Sequence, residues 1–364
     1  MKYECKRGIL PFFQLFERFI RESRTGKRLQ PNGKKISAGT IQNYSNTLRL
    51  LNEFACVKNF ELRIRQVYKL NLRELRSEAL YWRRFYREFT DYLYSDRGCF
   101  DNYVGSVIKV IKIFFNYLNK ELHTGVGDFH KSFYIRKEDV PIYPLMPEEL
   151  SFLIFNKNFE ASLSPKLCRA RDVFVFGCTV ALRISDLLSL RISNLRQVSG
   201  QYYLAVRSKK TATDSLILLP AFAVEIFKKY SMKKHRKRVF SFYSKNSLNK
   251  DIKLLLDEAG FNNPVIKSRE RRGEAIELMP AHHRGIKNYR FCDVASSHTM
   301  RRTAITTMLS LGVSEQVVRK ISGHSPGSKE FYRYVHLSQS YLDREIEIAF
   351  GKLQQNSQVF NFKS

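Results

Sequence analysis

Along the first third of the chain, apolar residues recur every three to four positions. In "FFQLFERFIRES" (12–23), Phe12, Leu15, Phe16 and Phe19 fall on one stripe, the spacing of an amphipathic helix. After a basic loop, "RTGKRLQPNGKK" (24–35), comes "SAGTIQNYSNTLRLLNEFA" (37–55), with Ser37 placed to cap a helix that carries Ile41, Tyr44, Leu48 and Leu51 on one side. "LYWRRFYREFTDYLYS" (80–95) and "YVGSVIKVIKIFFNYLNKEL" (103–122) repeat the pattern, the latter through Val107, Val110, Ile111, Phe114, Phe115 and Leu118. The pattern predicts a small helical bundle over residues 1–125.

The helical period stops at "GVGDFHKSFYIRKEDVPIYPLM" (125–146), where glycine and proline signals predict a linker over 126–146. Pro147 then stands at a suitable first helical position of "PEELSFLIF" (147–155). "LCRARDVFVFGCTVALRISDLLSLRISNL" (167–195) reads as two helices meeting near Arg183, and "QYYLAVRS" with "DSLILLP" reads as a β-hairpin joined by "KKTAT". Helices are expected again at 221–231 and 246–259, and the basic stretch 267–291 reads as a hairpin or insertion. In "SSHTMRRTAITTMLSLGVSEQVVRKISGHSPGSKEFYRYVHL" (296–337), Ser296 or Ser297 caps one helix and Gly312 ends it; Ser314 caps the next and Gly323 ends that. In "SYLDREIEIAF" (340–350), Leu342, Ile346 and Phe350 share a face, which suits either closure of the chain's own core or docking on another subunit. The expected fold is mainly α with a small β component (α+β), in two domains, 1–125 and 147–364.

Composition narrows the function. The 364 residues suffice for two cores, and 43% apolar with 13% aromatic content argues against disorder. Lys and Arg total 63 against 34 Asp and Glu, a net charge of +29 spread along the chain. Such an excess points to a polyanion, most simply nucleic acid. The six cysteines, 5, 56, 99, 168, 178 and 292, have neither C-x-x-C pairing nor metal-ligand spacing and read as small buried apolar groups of a reducing cytosol. The opening "MKYECKRGILPFF" lacks the apolar run of a signal peptide, and no stretch approaches the roughly 18 apolar residues of a membrane span. The expectation is a cytoplasmic protein with no membrane association.

Candidate chemistry concentrates near the C-terminus. His298 and Arg301 lie three apart at a helix start, where free N–H groups also favour an anion. Arg183 follows an apolar helix, Lys209 and Lys210 sit at the hairpin tip, His324 follows a helix-ending glycine, and Tyr332 and Tyr334 come after it. Taken singly, each is more often a plain surface residue. Their order changes that weighting. "ALRISDLLSLR", a β-hairpin lysine, "HTMRRT", "GHS" and a tyrosine ten residues on resemble the tyrosine recombinase (phage integrase) family, whose motif runs Arg, Lys, His-x-x-Arg, His/Trp, Tyr. The resemblance covers 147–350; the helical first half is similar to the family's SAM-like core-binding domain, with "SAGTIQNYSNTL" fitting its Thr-Ile-x-x-Tyr entry. The 267–291 insertion looks most like integrases of mobile elements in Bacteroidetes.

The resemblance implies site-specific integration, excision or inversion of DNA without metal or cofactor. Tyr334 would attack the phosphodiester to give a 3′-phosphotyrosine, conserving the bond energy for rejoining. Arg183 and Arg301 would clamp the non-bridging oxygens. Lys210 would protonate the leaving 5′ oxygen; Lys209 beside it is the alternative. His298 would assist proton transfer, His324 would donate a hydrogen bond, and Asp186 would orient an arginine. The family usually places its tyrosine nine residues after the GH histidine. Here Tyr332 stands at eight and Tyr334 at ten; "FYRY" and "YVHL" favour Tyr334. Implied partners are double-stranded recombination sites, a homotetramer joined through the C-terminal oligomerisation segment, and accessory DNA-bending factors. Only about ten residues precede the first helix, so no arm-binding domain is expected. Two other readings stay open: a type IB-like topoisomerase, and a DNA-binding protein that keeps the fold without the reaction.

Overall fold

The computed structural model describes residues 9–208, 213–231, 238–280 and 288–338, with 343, 346, 347, 350 and 351 beyond them. The chain divides into two compact units, Met1–Val140 with Ser268–Leu278, and Pro141–Lys267 with Met279–Ser364.

In the first unit, helices α1 (Phe12–Thr25), α2 (Ala38–Val57), α3 (Leu72–Asp91) and α4 (Asp101–Lys120) form where the periodic runs are, and β1 (Ile9–Pro11) pairs antiparallel with β2 (Arg63–Arg65). Ser37 caps α2 as expected, accepting from the Thr40 N–H at 3.2 Å. Helix α3 begins eight residues before the expected Leu80. Asn71 and Glu74 exchange hydrogen bonds there in a capping box, and the added turns put Leu72 and Leu80 in solvent, so no stripe announces them. The core is aromatic: Phe16 lies 4.5 Å from Phe114, and Trp82 meets Phe115 edge-on at 4.8 Å.

The stretch 126–146 lacks a regular α-helix but is not a loose tether. Val126 and Phe133 enter the aromatic core. His130 is buried against Phe115 and bonded to Asn116, and burial pushes its pKa down to about 4.

The first unit is completed by a hairpin from far down the chain, residues 268–277, as the basic 267–291 stretch suggested. Buried Glu138 takes two hydrogen bonds from the Arg269 guanidinium, at 3.0 and 2.6 Å, and one from the Glu270 N–H. Asp101, 1% exposed, accepts from the Arg272 and Gly273 N–H groups at the turn.

The second unit opens with α5 (Pro147–Phe155), α6 (Lys157–Ser162) and the buried α7 (Pro165–Val180), then the one-turn α8 (Ile184–Leu187). Strands β3 (Leu195–Val198), β4 (Gln201–Arg207) and β5 (Asp214–Leu218) make an antiparallel meander, so the expected hairpin gains a third strand. After α9 (Ala221–Ser231) and α10 (Lys245–Glu258), β6 (Pro264–Val265) and β9 (Tyr289–Arg290) pair around the departing hairpin, whose strands are β7 (Ser268–Arg271) and β8 (Glu274–Glu277). The chain continues through α11 (Phe291–Val294), α12 (Ser297–Ser310), α13 (Glu315–Ser322) and α14 (Lys329–Leu337). The fold is mainly helical with a small β component, as the patterning predicted.

Two expectations need adjusting. Of the described cysteines, Cys178 and Cys292 are buried, but Cys56 is exposed and Cys99 and Cys168 are half-buried; they are all free thiols, not uniformly core groups. Of the C-terminal apolar face, Leu342 lies outside the described residues, while Ile346 and Phe350 are exposed. Among the described residues no helix is long and apolar enough to cross a membrane.

Candidate active site

A close helix crossing builds the site. On α7, Gly177 lets α12 approach so nearly that an added Cβ would stand 2.5 Å from Met300 Sδ and 3.1 Å from its Cβ. The neighbour of Met300 is Arg301. Helix α7 ends at Ala181, in the left-handed region at φ 54°, and its freed carbonyl accepts from Arg301 Nη1 at 2.7 Å. Two residues on, Arg183 caps α8 and its Nη1 reaches Ser208 Oγ at 3.2 Å. Asp186, in the first turn of α8, is buried.

Helix α12 starts at its Ser296 cap and presents His298, exposed, one turn before the buried Arg301. Gly323 ends α13 in the left-handed conformation, φ 65°, which turns His324 back toward α12. Arg301 Nη2 comes within 3.2 Å of His324 Nε2, and Ser322 Oγ lies 2.8 Å from Nδ1. The Ser322 hydroxyl already donates to the Val318 carbonyl at 2.6 Å. With its single proton spent, Ser322 must accept from His324 Nδ1–H, which leaves Nε2 to accept from Arg301. On α14, the Tyr334 ring packs 6.0 Å from His324 and 6.5 Å from Phe331, and Arg302 lies near its hydroxyl.

The electrostatics are those of a cationic pocket. Burial first, then the cation of Arg183, pushes Arg301 down to about 10, while Tyr334 and Asp186 act in the opposite sense. His324 is pushed down to about 3 by burial and by Arg301, Arg183 and Arg319, so it is neutral. Such an arrangement can hold an anion: each cation gains a counter-charge and recovers part of its desolvation cost.

The structure therefore brings Arg183, Arg301, His324 and Tyr334 together, with His298 at the start of the same helix as Arg301. Lys210, with its alternative Lys209, lies outside the described residues; the hairpin around it is closed by the Ser208 N–H to the Thr213 carbonyl at 2.9 Å. Tyr332 is exposed and stacked under Arg319. Arg302 and Arg319 were not among the candidates drawn from the sequence. Arg302 is only the second arginine of "HTMRRT", and nothing in a helical arginine at 319 marks it out from a solvated face.

Residues 154–340 match the model of the phage integrase family. Similar folds include the XerH site-specific recombinase bound to a palindromic difH substrate, 15% identical over 92% of this chain and 84% of that one, with a TM-score of 0.54. A lambda integrase dimer on a COC′ core site is 13% identical over 88% and 94%, with a TM-score of 0.57. A lambda integrase tetramer on a Holliday junction is 14% identical over 89% and 77%, at 0.55. No match was found among curated proteins. The chain belongs to the phage integrase family. It is a site-specific recombinase of the tyrosine type, an enzyme that cuts DNA and transfers the strand.

Proposed function

We propose that Tyr334 is the nucleophile and that Arg183 and Arg301 form the phosphate cradle around it, with His324 steadying Arg301 and donating a hydrogen bond once the phosphate has raised its proton affinity. The Tyr334 oxygen attacks phosphorus, the bond to the 5′ oxygen breaks, and a 3′-phosphotyrosine remains. Lys210 supplies the proton to the departing 5′ oxygen, an effect of about 10²–10⁴-fold, and His298 assists proton transfer at the phenol. Attack by a 5′ hydroxyl on the phosphotyrosine reverses the step and reseals the strand. The observation that carries this reading is the convergence of two arginines, a neutral imidazole and a phenol on one side of α12, with the arginines held by neutral groups.

A nicked suicide substrate carrying the recombination site tests it. Wild type and Tyr332→Phe should accumulate covalent protein–DNA adduct, and Tyr334→Phe should accumulate none. Adduct from Tyr334→Phe would retire this nucleophile. Absence of adduct from wild type would favour a binding protein, and relaxation of any supercoiled plasmid without a site would favour topoisomerase action. With ~8 phosphates neutralised, DNA affinity should fall about 10³–10⁵-fold between 50 and 200 mM salt.

The working form is proposed to be a tetramer on two duplexes, acting in the cytoplasm, with accessory DNA-bending factors as further partners. Support comes from an apolar groove of about 650 Å³ in the second unit, lined by Leu150, Ile154, Phe155, Phe222, Met308 and Leu311. It suits the apolar face of residues 340–350 from a neighbouring copy, of which Ile346 and Phe350 are exposed. Leu311→Asp should abolish synapsis while leaving binding to a single site intact, as read by native gel shift.

A further inference from the structure

Helix α14 offers two tyrosines two residues apart, and so about 200° apart around the helix. Exchanging them at one site would take a roll of about 160°, so the choice between them is set by how the helix is held. Its buried side is fixed by Phe331 and Val335, but its approach depends on the Gly323–Ser328 loop, which contains Pro326 and Gly327 and makes the histidine-to-tyrosine interval ten.

One side chain spans that loop. Arg319, in the last turn of α13 and only 12% exposed in its side chain, donates from Nη1 to the Ser325 and Pro326 carbonyls at 3.3 and 3.0 Å. Its Nη2 pairs with Glu315 at 3.0 Å. The guanidinium lies 4.0 Å from the centroid of the Phe331 ring and 4.8 Å from that of Tyr332. The same residue's backbone carbonyl accepts the His324 N–H at 3.0 Å. Arg319 thus touches both ends of the loop and the wrong tyrosine, while Tyr334 lies on the other side with His324 and Arg302.

We propose that Arg319 is the positioning residue that selects the nucleophile, holding Tyr332 out on the helix's exposed face and so presenting Tyr334 to the phosphate. The proposal rests on the assignment of Tyr334 above. An arginine suits this task because its planar fork can bond two carbonyls and stack on rings at once, which a lysine cannot do.

The test is a gain of reaction, which a merely structural role would not produce. Full-length Tyr334→Phe should form no adduct on the suicide substrate; Arg319→Ala/Tyr334→Phe should form one, mapped by peptide mass spectrometry to Tyr332. In the Tyr334 background, Arg319→Ala should slow adduct formation at saturating DNA by about 10–100-fold, the scale of a misplaced reacting group, with DNA binding unchanged and Arg319→Lys intermediate. Arg319→Met, which keeps apolar contact with both rings, is the variant to use if the alanine change prevents folding. A double variant that binds DNA yet forms no more adduct than Tyr334→Phe overturns the proposal. Adduct from Tyr334→Phe alone overturns instead the assignment on which it rests.

Discussion

Arg171 and Arg301 belong to the same unit and are almost equally buried, 5% and 8% exposed, yet their surroundings are opposite. Arg171 on α7 is saturated: Glu160 takes two of its hydrogen bonds, Asp172 another, and the Leu153 and Ile154 carbonyls the rest. Arg301 on α12 is held by one carbonyl and a neutral imidazole. The hairpin of the first unit follows the pattern of Arg171, with Arg269 seated on buried Glu138. A protein that neutralises its structural arginines in this way leaves Arg301 with desolvation that folding, through Asp186 and Tyr334, only partly offsets. That cost makes sense if the missing charge arrives with the substrate.

The sharpest way to break this comparison is to remove each arginine and measure two quantities. Arg301→Ala should reduce adduct formation by about 10²–10³-fold, the usual loss when a donor to transition-state charge is removed. Its melting temperature should hold or rise, because a desolvated cation has gone. Arg171→Met should do the reverse. It leaves Asp172 and Glu160 short of their partner at a cost of about 3 kcal/mol, the lower end for a broken buried pair, because Lys229 and Tyr230 still hold Asp172. Its folded fraction should cleave at the wild-type rate. Calorimetry with single-turnover cleavage reads both; a large stability loss in Arg301→Ala would mean that Arg301 is structural after all.

Next in size is the crossing that carries Arg301 to the site. Gly177→Ala must push against Met300 along its length, not only at its flexible tip. Overpacking of this kind costs about 1–3 kcal/mol, and here the displaced element bears a proposed catalytic group. Cleavage should therefore fall by more than the stability loss explains, whereas Gly33→Ala, where an added Cβ meets nothing within 4 Å, should change stability through its left-handed φ of 74° but leave cleavage alone.

Much of this was legible in the sequence because local chemistry and tertiary demand agree. Gly323 is both a helix stop and the turn that aims His324, so one glycine announces a boundary and a site. The Ser37 cap and the phenylalanine stripe of α1 are similarly self-contained. What escaped depended on distant partners. The first turns of α3 rest on a capping box with exposed leucines. The 267–291 stretch could be read as a hairpin or an insertion but not as part of the first unit, because Asp101 and Glu138, which anchor residues 268–277, lie over 130 residues away in sequence. Arg319 was invisible for another reason: its carbonyl partners belong to a loop and its ring partners to the next helix, so no helical period marks it.

The smallest effect separates two histidines that are both neutral in the fold. His324 and His130 are held down to about 3 and about 4, against an ordinary value of 6.5. The unfolded chain takes up those protons first as pH falls, so stability is flat above 6.5 and is lost downward, toward 4 for His130 and 3 for His324. The slope is at most about 1.4 kcal/mol per pH unit for each residue. The causes differ: burial leads in both, but His324 also faces the cations of Arg301 on α12, Arg183 before α8 and Arg319 on α13. Arg301→Ala should therefore raise the His324 titration midpoint and leave that of His130 fixed, as read by imidazole NMR shifts. Binding a duplex brings phosphate charge to the same place and should raise the His324 midpoint further, without moving His130. Equal movement of both would mean a general loosening of the fold, and the cationic pocket would lose its electrostatic signature.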